Sequence, residues 1–186
     1  MRKGILFIIS GPSGSGKGTL VNRILKRISK LSLSISATTR TPRPGEVNGR
    51  EYFFISDEEF DDLIATDGLL EWALVHNRFR YGTPSGNVYA ALNAGNDVLL
   101  EIDVQGKEQI KLKIPEAVSI FIDPPSFAEL EKRLLQRGSE SKQDIQRRLC
   151  TARLELEHKD EFDHILVNDD LEVATEALCN LIMSYR

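Results

Sequence analysis

Gly4-Ile5-Leu6-Phe7-Ile8-Ile9-Ser10 runs directly into Gly11-Pro12-Ser13-Gly14-Ser15-Gly16-Lys17-Gly18-Thr19, and this joint decides the fold. The continuous apolar run reads as a strand buried on both faces of a parallel sheet, closed by Gly11-Pro12. Beyond the glycines, Leu20, Val21, Ile24, Leu25 and Ile28 recur at helical spacing, with Asn22, Arg23, Lys26 and Arg27 on the opposite face. Strand, glycine-rich turn and amphipathic helix follow one another without a gap.

Gly11, Gly16 and Lys17 match the nucleotide phosphate loop in the context that gives that motif meaning. Glycines let successive amides turn inward around an anion, and the helix beginning near Lys17 adds the positive end of its dipole. Lys17 supplies a mobile cation for β and γ phosphates. The whole stretch Gly11, Pro12, Ser13, Gly14, Ser15, Gly16, Lys17, Gly18 and Thr19 is therefore the expected ATP-binding segment. Position 18, where such loops usually carry a magnesium-ligating hydroxyl, is glycine, and Thr19 comes next. No direct protein ligand to the metal is fixed by this pattern.

Working outward, Val98 to Ile102, Val118 to Ile122 and His164 to Val167 read as further strands, separated by helical segments. That alternation predicts an α/β fold around a central parallel sheet. A helix after Ser126, with Glu129 three residues on, carries a capping box and buries Phe127, Leu130 and Leu134; Ser141 with Asp144 repeats the pattern weakly. A final helix carries Leu171, Ala174, Leu178, Leu181 and Ile182. Between the first helix and Val98 the pattern changes. Ser34 to Thr39 alternates, Tyr52 to Ile55 is strand-like, and Leu69 to Val75 alternates around Glu71, which predicts a small β-rich insertion over residues 33–83.

Composition narrows the function. The 186 residues, 41% hydrophobic and 28% charged, suit one compact domain, with no repeat or low-complexity tract. A net charge of −4 argues against binding long nucleic acids, so any anion site is local. Ile5 to Ile9 is too short to cross a bilayer and no cleavage site follows it, so a cytoplasmic protein with no membrane partner is expected. Cys150 and Cys179 match no zinc or redox spacing and read as two reduced core thiols. His76, His158 and His164 are scattered and receive no role.

Residues 36–52 run Ser36-Ala-Thr-Thr-Arg40-Thr-Pro-Arg43-Pro-Gly-Glu-Val-Asn-Gly-Arg-Glu-Tyr52. Arg40 and Arg43 flank Pro42, and two guanidinium forks at that spacing can grip a dianionic phosphate through charge-assisted hydrogen bonds. Here the sequence resembles the guanylate kinase family, through Thr-Thr-Arg-x-Pro-Arg, the phosphate loop, Leu-Glu71-Trp-Ala, Tyr81-Gly-Thr83 and Ile102-Asp103-Val-Gln-Gly. The resemblance covers nearly the whole chain. It implies a P-loop NTPase-like three-layer fold, with a core over about 1–32, 84–125 and 159–186, a GMP-binding insertion over 33–83 and a helical lid over 126–158. It also implies ATP:GMP phosphotransfer within purine nucleotide metabolism, with dGMP as a further acceptor.

On the same resemblance, Arg40, Arg43, Tyr52 and Tyr81 hold the phosphate of GMP. Glu71 reads guanine N1–H and the exocyclic amine, while Ser36 and Thr83 face O6. Glu101 and Asp103, placed on one face by strand alternation, help with guanine or, together with Thr19, with Mg²⁺ brought in as Mg-ATP. Arg137 and Arg148 of the lid fold over the ATP phosphates, and Asn168 lies near adenine. Lys17, Arg40, Arg43, Arg137 and Arg148 are then the catalytic cations. The acceptor oxygen is already anionic, so the chemistry calls for charge neutralisation rather than a strong general base. The competing reading is a non-catalytic guanylate-kinase-like module that binds a phosphorylated or acidic peptide in the same cleft. Monomer and homo-oligomer both stay open.

Overall fold

The structure is a computed structural model that describes residues 2–75, 78–136 and 142–186. Strand β1 (Leu6–Ser10) is buried along its whole length, as its unbroken apolar character demands. Helix α1 (Lys17–Arg27) follows the glycine loop, and strand β2 (Leu31–Leu33) follows the helix. With β7 (Asp97–Glu101), β8 (Val118–Asp123) and β9 (His164–Val167) these strands form a parallel sheet in the order β2-β7-β1-β8-β9. The neighbours of β1 lie to opposite sides of it, so the glycine loop sits at the point where strand order reverses. Open parallel sheets bind ligands at that crevice.

Alternation along β1 sorts the core into two layers. Phe7 and Ile9 pack with Leu20 and Ile24 of α1 and with Leu178 and Ile182 of the last helix, α7 (Leu171–Ser184). Leu6 and Ile8 pack on the other face with Val88 and Leu92 of α3 (Ser85–Asn93) and Ile110 of α4 (Val104–Lys113). The result is the expected three-layer α/β arrangement. Gly16 closes the loop with φ 89°, and a Cβ there would lie 2.3 Å from Nδ2 of Asn168, so only glycine fits.

A second sheet, in the order β4-β3-β6-β5, is built from β3 (Ala37–Thr38), β4 (Phe53–Phe54), β5 (Leu69–Val75) and β6 (Phe79–Pro84). Two details differ from the sequence expectation. The Leu31–Leu33 strand belongs to the core sheet, and Ser34 N–H donates to Leu99 C=O, so the core runs past residue 32 before the chain leaves it. The segment between β4 and β5 folds as helix α2 (Asp57–Ala65), capped reciprocally by Ser56 and Glu59. Ser56 and Glu59 have the three-residue spacing that such a box requires.

Helices α5 (Phe127–Gln136) and α6 (Lys142–Glu157) pack through Leu130, Leu134 and Ala152, with Phe127 and Leu149 at the margin. Ser126 Oγ accepts from Glu129 N–H at 3.1 Å. The Glu129 carboxylate turns instead to Arg133, 3.4 Å away one turn along the helix. Arg137, Gly138, His76 and the weak cap at Ser141 lie outside the described residues. Cys150 is exposed on α6, which overturns its reading as a core thiol, while Cys179 is partly buried against the core. The periodicity of α6 placed Cys150 on a helix without revealing which face is covered.

Both chain ends are clamped by one fully buried carboxylate. Asp97 Oδ1 accepts from Arg2 Nη2 at 2.7 Å and from Ile5 N–H at 2.8 Å, and its Oδ2 accepts from Arg186 Nε at 2.7 Å. Asp97→Ala leaves the partly buried Ile5 amide and the two cations without this acceptor. We expect it to lower unfolding free energy by about 3 kcal/mol in urea titrations. A loss under about 1 kcal/mol would show that the clamp is idle.

Candidate active site

The site lies where the C-terminal end of β7 turns into α4. Strand geometry ends at Glu101, and Asp103 becomes the N-cap of α4, its Oδ1 accepting from Gly106 N–H at 2.8 Å. This corrects the expectation that the two acids share one face, because alternation stops where the strand does. Glu101 stands by the phosphate loop, its carboxylate oxygens 3.9 Å from the place a Cβ on Gly18 would occupy. Asp103 is exposed between the two sides, close enough to Glu71 and to Glu155 of α6 to raise the pKa of each. A Cβ on Gly106 would come within 2.9 Å of Glu71 Oε2, so α4 approaches that carboxylate as closely as a backbone can. Residues 101–106 therefore separate, and connect, an anion loop and a buried acid pocket.

On the loop side, Lys17 Nζ donates to the carbonyls of Gly11 and Pro12, the latter at 3.1 Å. Arg148 of α6 reaches Ser13 Oγ at 3.0 Å, which places this lid residue directly over the loop. Arg133 of α5 points both terminal nitrogens at the Asn168 carbonyl at 3.3 Å. Asn168 is buried, and its Nδ2 donates to Ser15 C=O at 2.7 Å, so its amide donor supports the loop rather than standing free for a base. Asn168 and Thr19 line a cleft of about 360 Å³ together with Gly14, Gly16, Arg133 and Gln136. Thr19 thus lines this cleft, and it is Glu101 whose carboxylate borders Gly18.

On the acid side, Glu71 is buried in β5 at a register irregularity between Leu69 and Trp72. Burial raises its pKa to about 7; the Thr83 hydroxyl, donating to Oε1 at 2.6 Å, opposes the rise, and Asp103 reinforces it. The Thr83 proton is thereby spent on Glu71, a difference from its expected pairing with O6, since a hydroxyl has one proton to give. Ser36 is half-buried immediately before β3, and Ala37 pairs with Gly82 next to Thr83. Arg40 is buried under Tyr52 and Phe54, its guanidinium carbon 5.6 Å from each ring centroid, and its Nε donates to Tyr81 Oη at 3.0 Å. Tyr52 and Tyr81 meet edge to face at 5.6 Å, and burial raises the Tyr52 pKa. Arg43 is exposed at the rim.

Two participants escaped the sequence reading. Gln109 of α4 pairs with the backbone of Trp72 as a strand would, accepting from its N–H at 3.1 Å and donating to its C=O at 2.9 Å. This fixes β5 beside Glu71, and no sequence pattern marks a glutamine for such a task. Glu155 lies two turns along α6 from Arg148, on the same helical face. Burial raises its pKa to about 7, an effect that Lys17 opposes and Asp103 strengthens. The spacing from Arg148 was the available signal. Glu101, although exposed, also has its pKa raised by the protein around it, and Lys17 counteracts the shift.

Comparison with known proteins agrees with this geometry. The family described as guanylate kinase matches residues 3–185. A guanylate kinase of Neisseria gonorrhoeae is 51% identical over all of this chain and 90% of its own length. One from Syntrophomonas wolfei subsp. wolfei is 49% identical over all of this chain and 94% of its own. The crystal structure of guanylate kinase from Anaplasma phagocytophilum superposes with a TM-score of 0.80 at 32% identity, covering 99% of this chain and 87% of that one.

The Glu71 environment has a measurable consequence. A carboxyl whose pKa rises from 4.5 to about 7 on folding favours the folded state while protonated. That contribution is complete below about pH 4.5 and is lost as pH rises through about 7, amounting to about 3 kcal/mol by linkage. In urea unfolding at about pH 5 and pH 8, the native protein should lose stability relative to Glu71→Gln at the higher pH. Parallel behaviour of the two would mean that Glu71 ionises as a solvated acid.

Proposed function

Because the chain belongs to the guanylate kinase family, it transfers the γ-phosphoryl group of ATP to GMP, and we propose that the residues on either side of segment 101–106 divide that work between donor and acceptor. The observation that carries this division is the short corner itself. It sets Glu101 against the lysine-bearing loop and Gly106 against the buried Glu71–Thr83 pair.

Guanine enters the Glu71 pocket, where N1–H and the exocyclic amine donate to the carboxylate and replace the Thr83 hydroxyl at Oε1. Released from Glu71, the Thr83 proton is free for O6, and Ser36 serves the same edge. Adenine offers no paired donors, and a buried carboxylate left without partners penalises it heavily. Arg40, Arg43, Tyr52 and Tyr81 take the GMP phosphate, Tyr81 having its own proton to give once Arg40 Nε has donated to its oxygen. The segment that leaves the core after Ser34 and runs to about residue 83 thus binds the acceptor, and that over 126–158 acts as the lid, with hinges just beyond Ser34 and near residue 83.

On the donor side, the ATP phosphates draw Lys17 away from the Gly11 and Pro12 carbonyls, exchanging neutral acceptors for anionic ones. Arg148 already reaches the loop and needs only a small movement to contact the transferring group; Arg137 adds to it. Asn168 holds Ser15 and so keeps the loop in shape beside the adenosine. Mg²⁺ would be held at Glu101, directly or through water, and supplies neutralisation of the β and γ phosphate charge. Hard carboxylate oxygens facing Gly18 fit such an ion. Among the described residues no group of three His, Cys, Asp or Glu side chains is set to hold a metal unaided, so nucleotide oxygens and water complete its shell. Alignment and cations overcome the repulsion between two polyanions, and no side chain has to remove a proton.

We place the enzyme in the cytoplasm, in purine nucleotide supply, and expect dGMP to serve as an acceptor, since no named contact addresses the ribose 2′ position. Nothing favours the binding-module alternative over this reading.

With ATP and Mg²⁺, ADP formation should depend on GMP and not on AMP, CMP or UMP. Lys17→Ala should cost at least about 100-fold in turnover while folding normally; a folded variant near full activity would remove Lys17 from its role. Glu71→Gln should narrow the preference for GMP over AMP by about 100-fold or more, as expected where buried polar partners are left unmatched. An unchanged preference would show that the base is read elsewhere.

A further inference from the structure

Arg43-Pro44-Gly45-Glu46 folds as a tight turn: Glu46 N–H donates to Arg43 C=O at 3.0 Å and Gly45 has φ 90°. Proline at the second position and a positive-φ glycine at the third are the residues of a type II turn. The turn brings the Glu46 side chain back over the phosphate grip. Both of its carboxylate oxygens lie 2.9 Å from Nη2 of Arg40, and Oε2 also accepts the backbone N–H of Arg43 at 2.8 Å. Arg40 is 8% exposed, and its other nitrogens donate to Tyr81 Oη and Thr41 C=O. Four guanidinium hydrogen bonds go to these three partners, which leaves at least one of the five N–H groups for an anion.

One carboxylate therefore ties the side chain of the first arginine to the backbone of the second. We propose that Glu46 is a positioning residue for the acceptor phosphate, holding Arg40 and the Arg43 backbone in a single frame before GMP arrives. The inference rests on the assignment of Arg40 to that phosphate. A negative charge beside a dianion is electrostatically costly, so Glu46 would be a poor choice unless the order it imposes outweighs the repulsion. A carboxylate that merely competed for Arg40 would have no reason to hold the Arg43 amide as well.

The two roles make opposite predictions for Glu46→Gln, which keeps the side chain's size but removes its charge and one acceptor. As a frame, Glu46 is needed: KM for GMP should rise severalfold in Glu46→Gln and on the order of tenfold or more in Glu46→Ala, the size of one lost charge-assisted hydrogen bond. KM for ATP should stay within about twofold of the native value, and kcat should change less than KM for GMP, a split that general loosening of the fold would not produce. With Arg40 already replaced by lysine, Glu46→Gln should add little, because its effect runs through the missing fork. If Glu46→Ala does not fold, Glu46→Gln decides. A lower or unchanged KM for GMP in Glu46→Gln, alongside a raised one in Arg40→Lys, overturns the inference and leaves the phosphate assignment standing. An unchanged KM in Arg40→Lys overturns both.

Discussion

Everything in this molecule depends on how closely glycine backbone can approach buried side chains at the carboxyl ends of the parallel strands. The loop after β1 presses against Asn168 at Gly16, and α4 presses against Glu71 at Gly106. A side chain at either place would push the anion loop off the sheet or the acid out of its pocket. The central strand can bring these parts together because it is buried on both faces and bonded on both edges, so its end is a rigid platform.

That platform carries charges in a deliberately unbalanced arrangement. Burial raises the pKa values of Glu71, Glu101 and Glu155, and Lys17, the cation that opposes the rise at Glu101 and Glu155, is turned onto the loop carbonyls. Such groups are costly to keep in the ligand-free molecule. The cost becomes useful when substrates bring matching donors and anions, since the pocket then gains more from the right ligand than from a near relative. Asp97, by contrast, has its charge matched on every side and lies at the opposite end of β7, where it holds the chain termini. One strand thus carries a buried, fully paired acid at its start and an exposed acid beside the phosphate loop at its end, the first for stability and the second for function.

The architecture was legible because its signals are local and repetitive. The apolar run of Gly4 to Ser10, the glycines with Lys17, and the helical spacing of Leu20 to Ile28 agree with one another, as do the later strands. The strand at Leu31–Leu33 carries little signal because it is short and only Leu31 is buried, and α2 lies among alternating segments with the Ser56–Glu59 cap as its main mark. Cys150 was misjudged since periodicity identifies a helix without identifying its covered face.

The amino-acid sequence by itself determined that there would be a phosphate loop on a parallel sheet and an arginine pair for a second anion, because each is a matter of residue type at fixed spacing, while its resemblance to the family singled out Glu71. Only the tertiary structure decided what those groups touch. It separated Glu101 from Asp103 by ending a strand between them, spent the Thr83 proton on Glu71, set the Gln109 amide beside Trp72, and laid Glu46 across both arginines. The physical reason is that hydrogen-bond partners are chosen within about 3 Å among groups that are distant in the chain. Spacing along a sequence carries no record of which of them will meet.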